Sequence, residues 1–202
     1  MTDNPSVTTI YLLRHGAYEN PLNIFHGRLP GFPLSGKGKQ QAEALGQSLA
    51  HEPIAAVYAS PLTRTYQTAQ EIAKPHGLAV IHDERLMDVR TPLAGRPLSY
   101  MESINYNFYR PTFIRQGGET LRQIFTRIDA CLRDVVAKHR GGHIAVVSHG
   151  DPIMSVKTKY LGLPLRSRKL FYPYIPVASG YVIRVAQNHT IVSIADYPAP
   201  AK

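Results

Sequence analysis

The chain has one cysteine in its 202 residues, Cys131, which excludes an internal disulfide and a cysteine-rich zinc site. No apolar run approaches the roughly 18 residues needed to cross a bilayer, so neither a spanning helix nor a membrane partner is expected. The opening residues, MTDNPSVTT, have no basic stretch leading into an apolar one, so no secretory signal is expected. Cytoplasmic residence is the default that follows. Internal repeats and low-complexity segments are absent. Acidic residues are scarce, with 14 Asp and Glu against 23 Lys and Arg, a formal net charge of +9. Such a surface attracts anions of any kind, phosphorylated metabolites and nucleic acid included. The basic residues are scattered, however, and the densest group is only Arg166, Arg168 and Lys169. With no nucleic-acid-binding module, a solvated basic surface beside an anion pocket is the simpler expectation, and no nucleic-acid partner is expected. None of the 9 histidines falls into a cluster with metal-ligand spacing, so no metal and no other cofactor are expected.

What is present is a set of uncharged runs, each ending abruptly on polar residues. Thr9 to Gly16 reads TIYLLRHG, Ile144 to Gly150 reads IAVVSHG, and Ile54 to Ser60 reads IAAVYAS and leads into PLTRTYQTA. Short apolar runs of this kind suit buried strands of a parallel sheet. Ligands in open α/β sheets bind just beyond the carboxyl ends of the strands. Three such ends would gather His15, His149, Arg14 and Arg64 at one sheet edge. Arginine offers a planar fork of donors for phosphate or carboxylate. Neutral histidine can attack phosphorus or carry a proton. Taken alone, His149 could equally be a buried histidine with a satisfied hydrogen bond; its pairing with the His15 run favours a site role.

The length suits one domain, residues 1–202, and a hydrophobic content of 44% suffices for a sizeable core. Ser35 reads as the N-cap of a helix reaching about His51, with Ala42, Leu45 and Leu49 as its inner stripe. A strand at Ala55–Ala59, a helix from Leu62 to His76 ending near Gly77, and a strand from Leu78 to His82 continue the alternation. That order predicts an α/β fold with a largely parallel sheet. Residues 83–118 break the rhythm with Pro92, Pro97 and Pro111 and an aromatic group, Tyr100, Tyr106, Phe108, Tyr109 and Phe113. This segment reads as an inserted cap of short helices over the site; the alternative is a peripheral subcore. Helical periodicity resumes at Leu121 with Ile124, Ile128, Leu132 and Val135. Cys131 borders that stripe as a packed small hydrophobe. A further helix is predicted from Ile153 to Leu161, and a hairpin at Tyr181–Ala186 and Thr190–Ile194 precedes a frayed tail.

LLRHG, SPLTRTYQTA and VVSHG, with PLSGKGKQQAEALG and GGETLRQIFTRI between them, resemble the histidine phosphatase superfamily on the branch related to phosphoglycerate mutases. The resemblance runs from about Thr9 to about Val185. It implies a three-layer α/β/α fold and a phosphohistidine intermediate on His15, later hydrolysed by water. Arg14, Arg64 and His149 would hold the phosphoryl oxygens, with the two arginines lowering the pKa of His15 and a backbone carbonyl fixing its other ring nitrogen. Asn20 and Gly150 are candidate substrate contacts. The other histidines, His26 in the loop after His15 among them, are read as structural. The family usually places a glutamate in a leucine-x-glutamate element after the third strand. Here RLMDV puts Asp88 there, with Asp151 the alternative acid and Glu84 a distant third. Tyr18 and Pro21 also stand where the family has a small hydroxyl residue and an asparagine. The longer signatures of phosphoglycerate mutases are missing. The expected activity is hydrolysis of a small phosphomonoester. A cofactor-dependent phosphoglycerate mutase and a non-catalytic phosphate-binding module are the alternatives. Dimers being the commonest oligomers, a homodimer is the default.

Overall fold

The computed structural model describes residues 7–166 and 171–199; Arg168 and Lys169, the first six residues and the end of the tail lie outside them. Its strands form one six-stranded sheet in the order β3-β2-β4-β1-β5-β6. These are β1 (Thr8–Arg14), β2 (Ile54–Ala59), β3 (Val80–His82), β4 (His143–Ser148), β5 (Gly180–Val185) and β6 (Ile191–Tyr197). β1 and β4, β4 and β2, and β2 and β3 pair in parallel, whereas β5 and β6 form an antiparallel hairpin whose first strand lies against β1. The sheet is therefore mixed and mostly parallel. β3 begins two residues later than the apolar pattern predicts, because the chain first leaves the left-handed turn at Gly77 (φ 63°).

Side chains alternate across a strand, and β1 shows both faces of the core. Ile10 and Leu12 point to one side, where they meet α5 (Leu121–Lys138) and α6 (Gly150–Tyr160) through Leu132, Val135, Ile153 and Met154. Tyr11 and Leu13 point to the other, against α1 (Gly36–Leu49) and α2 (Thr63–Ala73) through Leu45, Leu49, Ala69 and Ile72. Helices on both faces explain why β1 and β4 are buried throughout their middles. The result is the α/β/α sandwich that the strand–helix alternation implies.

The helix starts follow local chemistry. Ser35 caps α1, its Oγ accepting from the Gly38 amide at 3.1 Å. Gly46 lets α1 approach α2 closely, since a Cβ there would overlap the Glu71 carbonyl oxygen. Thr120 and Gln123 form a reciprocal capping box at the start of α5. α6 starts at Gly150, directly after His149, three residues before the periodic pattern begins. Pro152 hides this start in the sequence, yet proline is well tolerated in a first turn, where its missing N–H has no partner to lose.

Residues 83–118 contain two short helices, α3 (Leu98–Ser103) and α4 (Pro111–Arg115), and a 3-10 turn at Glu84–Leu86. Val89, Leu93, Met101, Ile104 and Phe108 pack with Phe25 and Ile124 into a small cluster of their own. The segment is thus both a subcore and, through Leu98, Tyr106 and Phe108, a wall of the cavity above the sheet. No helix among the described residues is long and apolar enough to cross a membrane.

Candidate active site

β2, β4 and β1 are neighbours in the sheet, and their carboxyl ends are level: Arg14 pairs with Ser148, and Ala59 with Val147. The residues that follow, His15, His149 and Ser60, therefore emerge side by side. Arg64 reaches the same point from the first turn of α2. A cavity of about 420 Å³ opens here, with Arg14, His15, Asp88, Gly150 and Asp151 in its lining.

His15 is 2% exposed and its orientation is fixed at both ring nitrogens. Nδ1 lies 2.8 Å from the Gly16 carbonyl oxygen, so Nδ1 carries the proton and donates. Nε2 then accepts from Arg64 Nε at 3.3 Å. Burial, followed by the Arg64 and Arg14 charges, holds the His15 pKa well below its ordinary value. The nitrogen that faces Arg64 is thereby kept unprotonated.

Arg64 is 1% exposed and links the constellation. Its Nη2 donates towards the Gly27 carbonyl at 3.0 Å, Asp88 Oδ2 at 3.2 Å and His149 Nδ1 at 3.2 Å. Because His149 Nδ1 accepts, its Nε2 carries the proton and donates to Ser60 Oγ at 2.9 Å. The His15 and His149 rings are 5.2 Å apart. Arg14 donates Nη1 to the Ile175 carbonyl at 2.6 Å, while its buried Nε has no protein partner. A guanidinium with a donor left over beside the cavity is suited to an anion.

Asp88 follows the 3-10 turn, and its Oδ1 accepts from the Val89 amide at 2.8 Å. Oδ2 sits 3.7 Å from His149 Nδ1 and 3.8 Å from His26 Nε2. Burial raises the Asp88 pKa, outweighing the opposing pull of Arg64. Its backbone is anchored from beneath by two arginines. Arg127 of α5 donates to the carbonyls of Arg85, Met87 and Asp88, and Arg28 donates to that of Asp88. Glu119 receives both guanidiniums and binds the Arg90 amide as well. This clamp keeps the carboxyl at its place over the cavity.

Asp151 also lines the cavity, but each of its oxygens accepts from a tyrosine hydroxyl, Tyr109 at 2.5 Å and Tyr174 at 2.6 Å. Gly150 is pressed against Tyr174, whose hydroxyl a Cβ would overlap. Glu84 is exposed on the 3-10 turn, outside the cavity lining. Asn20 is not brought in either. Its amide closes a loop by bonding both the carbonyl and the amide of Ile24, at 2.9 and 3.2 Å, and so faces its own backbone.

His26, read as structural, lines the cavity, its ring tilted against that of Tyr18 with centroids 4.3 Å apart. Burial first, then Arg64 and Arg14, push its pKa down to about 3. Tyr18, Tyr106, Phe108 and Tyr174 are further lining residues that carry no local signal in the sequence. Cys131 is buried in the α5 core with its thiol pKa pushed up by burial.

With this geometry in view, the matches to known proteins are consistent. The model of the histidine phosphatase superfamily (branch 1) matches residues 10–196. The chain belongs to that family. It is 35% identical over 164 residues to phosphoserine phosphatase 1 of Hydrogenobacter thermophilus, covering 77% of each chain. It is 29% identical to the probable phosphoglycerate mutase GpmB of an Enterobacter species, covering 94% of this chain and 96% of that one. Among solved structures, YhfR of Bacillus stearothermophilus superposes with a TM-score of 0.81 at 25% identity, over 96% of this chain and 98% of that one. A phosphatase or mutase activity is thereby supported, whereas the substrate is not specified.

Three buried neutral imidazoles carry a consequence for stability. His15, His26 and His149 all have folded-state pKa values below that of an unfolded histidine. In the unfolded chain each takes up a proton near pH 6.5, and in the folded one it does not. Their stabilisation is therefore present above about pH 6.5 and is lost as pH falls below it. Asp88, with a raised pKa, works in the opposite direction but is a single group. Thermal unfolding followed from pH 7.5 to 5 should show a falling Tm, and the fall should be smaller in His26→Gln. A Tm that stays level over this range in the parent would contradict neutral burial of the three rings.

Proposed function

We propose that the chain hydrolyses a small phosphomonoester through a phosphohistidine on His15. The observation that carries the reading is the unprotonated His15 Nε2, aimed by the Nδ1–H bond to Gly16 and flanked by Arg64. Phosphoryl transfer needs a nucleophile in line, cationic donors for the equatorial oxygens and a proton for the leaving oxygen. In the first step His15 Nε2 bonds to phosphorus as the ester P–O bond breaks, and Asp88 gives its proton to the departing alkoxide. In the second, water attacks the phosphohistidine and Asp88 takes back a proton. Arg14, Arg64 and His149 hold the phosphoryl oxygens throughout. The raised pKa of Asp88 supports its service as the acid. The short chain of aspartate, against glutamate, is offset by the Arg127 clamp that holds its backbone over the cavity.

The rival is a phosphoglycerate mutase, favoured by the likeness to GpmB over nearly the full chain. In it the phosphohistidine returns its phosphoryl group to a bound glycerate. Single-turnover experiments from radiolabelled phosphoenzyme separate the two. Label released as inorganic phosphate, at a rate unchanged by added glycerate, is the outcome expected here. Label recovered mainly in phosphoglycerate would establish the mutase, and phosphate binding without any turnover would leave only a binding module.

A further inference from the structure

Arg14 is held more firmly than its place at the end of β1 requires. Its Nη1 donates to the Ile175 carbonyl at 2.6 Å, and its guanidinium carbon lies 5.2 Å from the centroid of the Tyr174 ring. Two consecutive residues of the segment between α6 and β5 thus grip it, one through a ring face and one through a hydrogen bond. A guanidinium over an aromatic face is attracted by the ring quadrupole, more strongly where water is excluded. The donor left over is the buried Nε, unpartnered among the described residues, on a side chain that lines the cavity.

The Tyr174 ring is itself fixed. Its hydroxyl donates at 2.6 Å to Asp151 Oδ1, in the first turn of α6, and fills the space where a Cβ on Gly150 would lie. Asp151 is 3% exposed, and its other oxygen accepts the Tyr109 hydroxyl at 2.5 Å. Tyr109 comes from the 83–118 segment, where its ring packs against Phe108 with centroids 4.7 Å apart. One buried carboxyl group therefore joins the start of α6, the inserted segment and the stretch that carries Tyr174 and Ile175. Buried hydrogen-bond networks of this kind rigidify the elements they join.

We infer that Tyr174 is a positioning residue for Arg14, with Asp151 as its anchor. The ring face and the Ile175 carbonyl hold the guanidinium so that Nε is the donor offered to the phosphoryl group. The inference rests on the proposed placement of that group at His15. A long side chain held in advance loses little rotamer freedom when the anion arrives, whereas a free one loses it at each binding event. Donors aimed beforehand are also the ones that stabilise developing charge in transfer. Asp151 thereby has a part in the site that needs no proton transfer.

Inorganic phosphate, which has no alcohol part to touch Tyr174, is the probe, titrated calorimetrically into the full chain. Tyr174→Leu should weaken it by about tenfold, the order of a desolvated cation–π contact. Tyr174→Phe keeps the ring and should lose only about threefold, the order of one hydrogen bond. Asp151→Asn should act through the same bond, so the double variant should lose no more than the worse of the two. In an Arg14→Ala background none of these changes should weaken phosphate further, whereas a role in packing alone would weaken it in both backgrounds. With substrates, Tyr174→Leu should slow alkyl and aryl phosphates by the same factor, because it acts at the phosphoryl end. Unchanged phosphate affinity in Tyr174→Leu would overturn the inference, and so would a loss that persists in full without Arg14. If Tyr174→Leu does not fold, Tyr174→Phe decides by the same comparison. Hydrolysis of para-nitrophenyl phosphate by the parent reports the catalytic reading separately: no turnover with the coupling intact removes the activity and leaves Tyr174 its positioning role.

Discussion

His15→Ala should lower kcat by at least about 10⁴-fold, the order seen when a catalytic nucleophile is deleted. The fold should survive, because the imidazole makes no long-range structural hydrogen bond beyond its contact with Arg64. The parent's far-ultraviolet spectrum should therefore be retained. Binding of inorganic phosphate should change by only a few-fold, since Arg14, Arg64 and His149 remain. The large effect on rate with a small effect on anion binding is the mark of a group that bonds to phosphorus rather than one that attracts it. A variant that keeps more than about a hundredth of the parent rate would rule out His15 as nucleophile, given the size of effect expected.

Asp88→Asn has the second large effect, and its size should depend on the substrate. Burial raises the pKa of the Asp88 carboxyl, which favours the protonated form that the leaving oxygen needs. An alkyl phosphate expels a poor leaving group and depends on that proton. Its hydrolysis should slow by about 10²–10⁴-fold, the usual contribution of a general acid. An activated aryl phosphate expels a stable phenolate and should be slowed much less. The parent should lose activity as pH rises through the raised pKa of Asp88, because the active form is the protonated one; the asparagine variant should lack that basic limb. Asp151→Asn is the matched control. Its oxygens are both engaged by tyrosines, so its loss should slow alkyl and aryl esters alike. Leaving-group dependence in Asp151→Asn and not in Asp88→Asn would reassign the acid.

The sequence made the scaffold legible where local chemistry decides structure. Uncharged runs ending in RHG and SHG mark β1 and β4, and the three-element alternation orders them with β2. Ser35 marks the start of α1, and the Leu121, Ile124, Ile128 stripe marks the buried face of α5. Arg14, His15, Arg64 and His149 could be named because each sits at the end of such an element or close behind it, and Asp88 because the family resemblance places an acid at its position. What was hidden depends on how distant segments meet. His26 and Tyr18 enter the cavity only because the loop after β1 folds back over it. Tyr174 arrives from beyond α6, and Arg127 reaches the 85–88 carbonyls from the far side of the subcore. Asn20 misled for the converse reason: a polar side chain in a site loop can be consumed by the loop itself. The hairpin was legible as a hairpin, but its place beside β1 was not, since that antiparallel pairing joins strands far apart in the sequence.

The central claim is that the phosphoryl group rests on His15 Nε2 between the two steps. Mixing enzyme with radiolabelled substrate, quenching in alkali within one turnover and mapping the label by peptide mass tests it most directly. The account predicts a base-stable, acid-labile adduct on His15, forming and decaying at rates compatible with kcat. Label on any other residue, or product formed at the full rate with no labelled protein at any time, would contradict it.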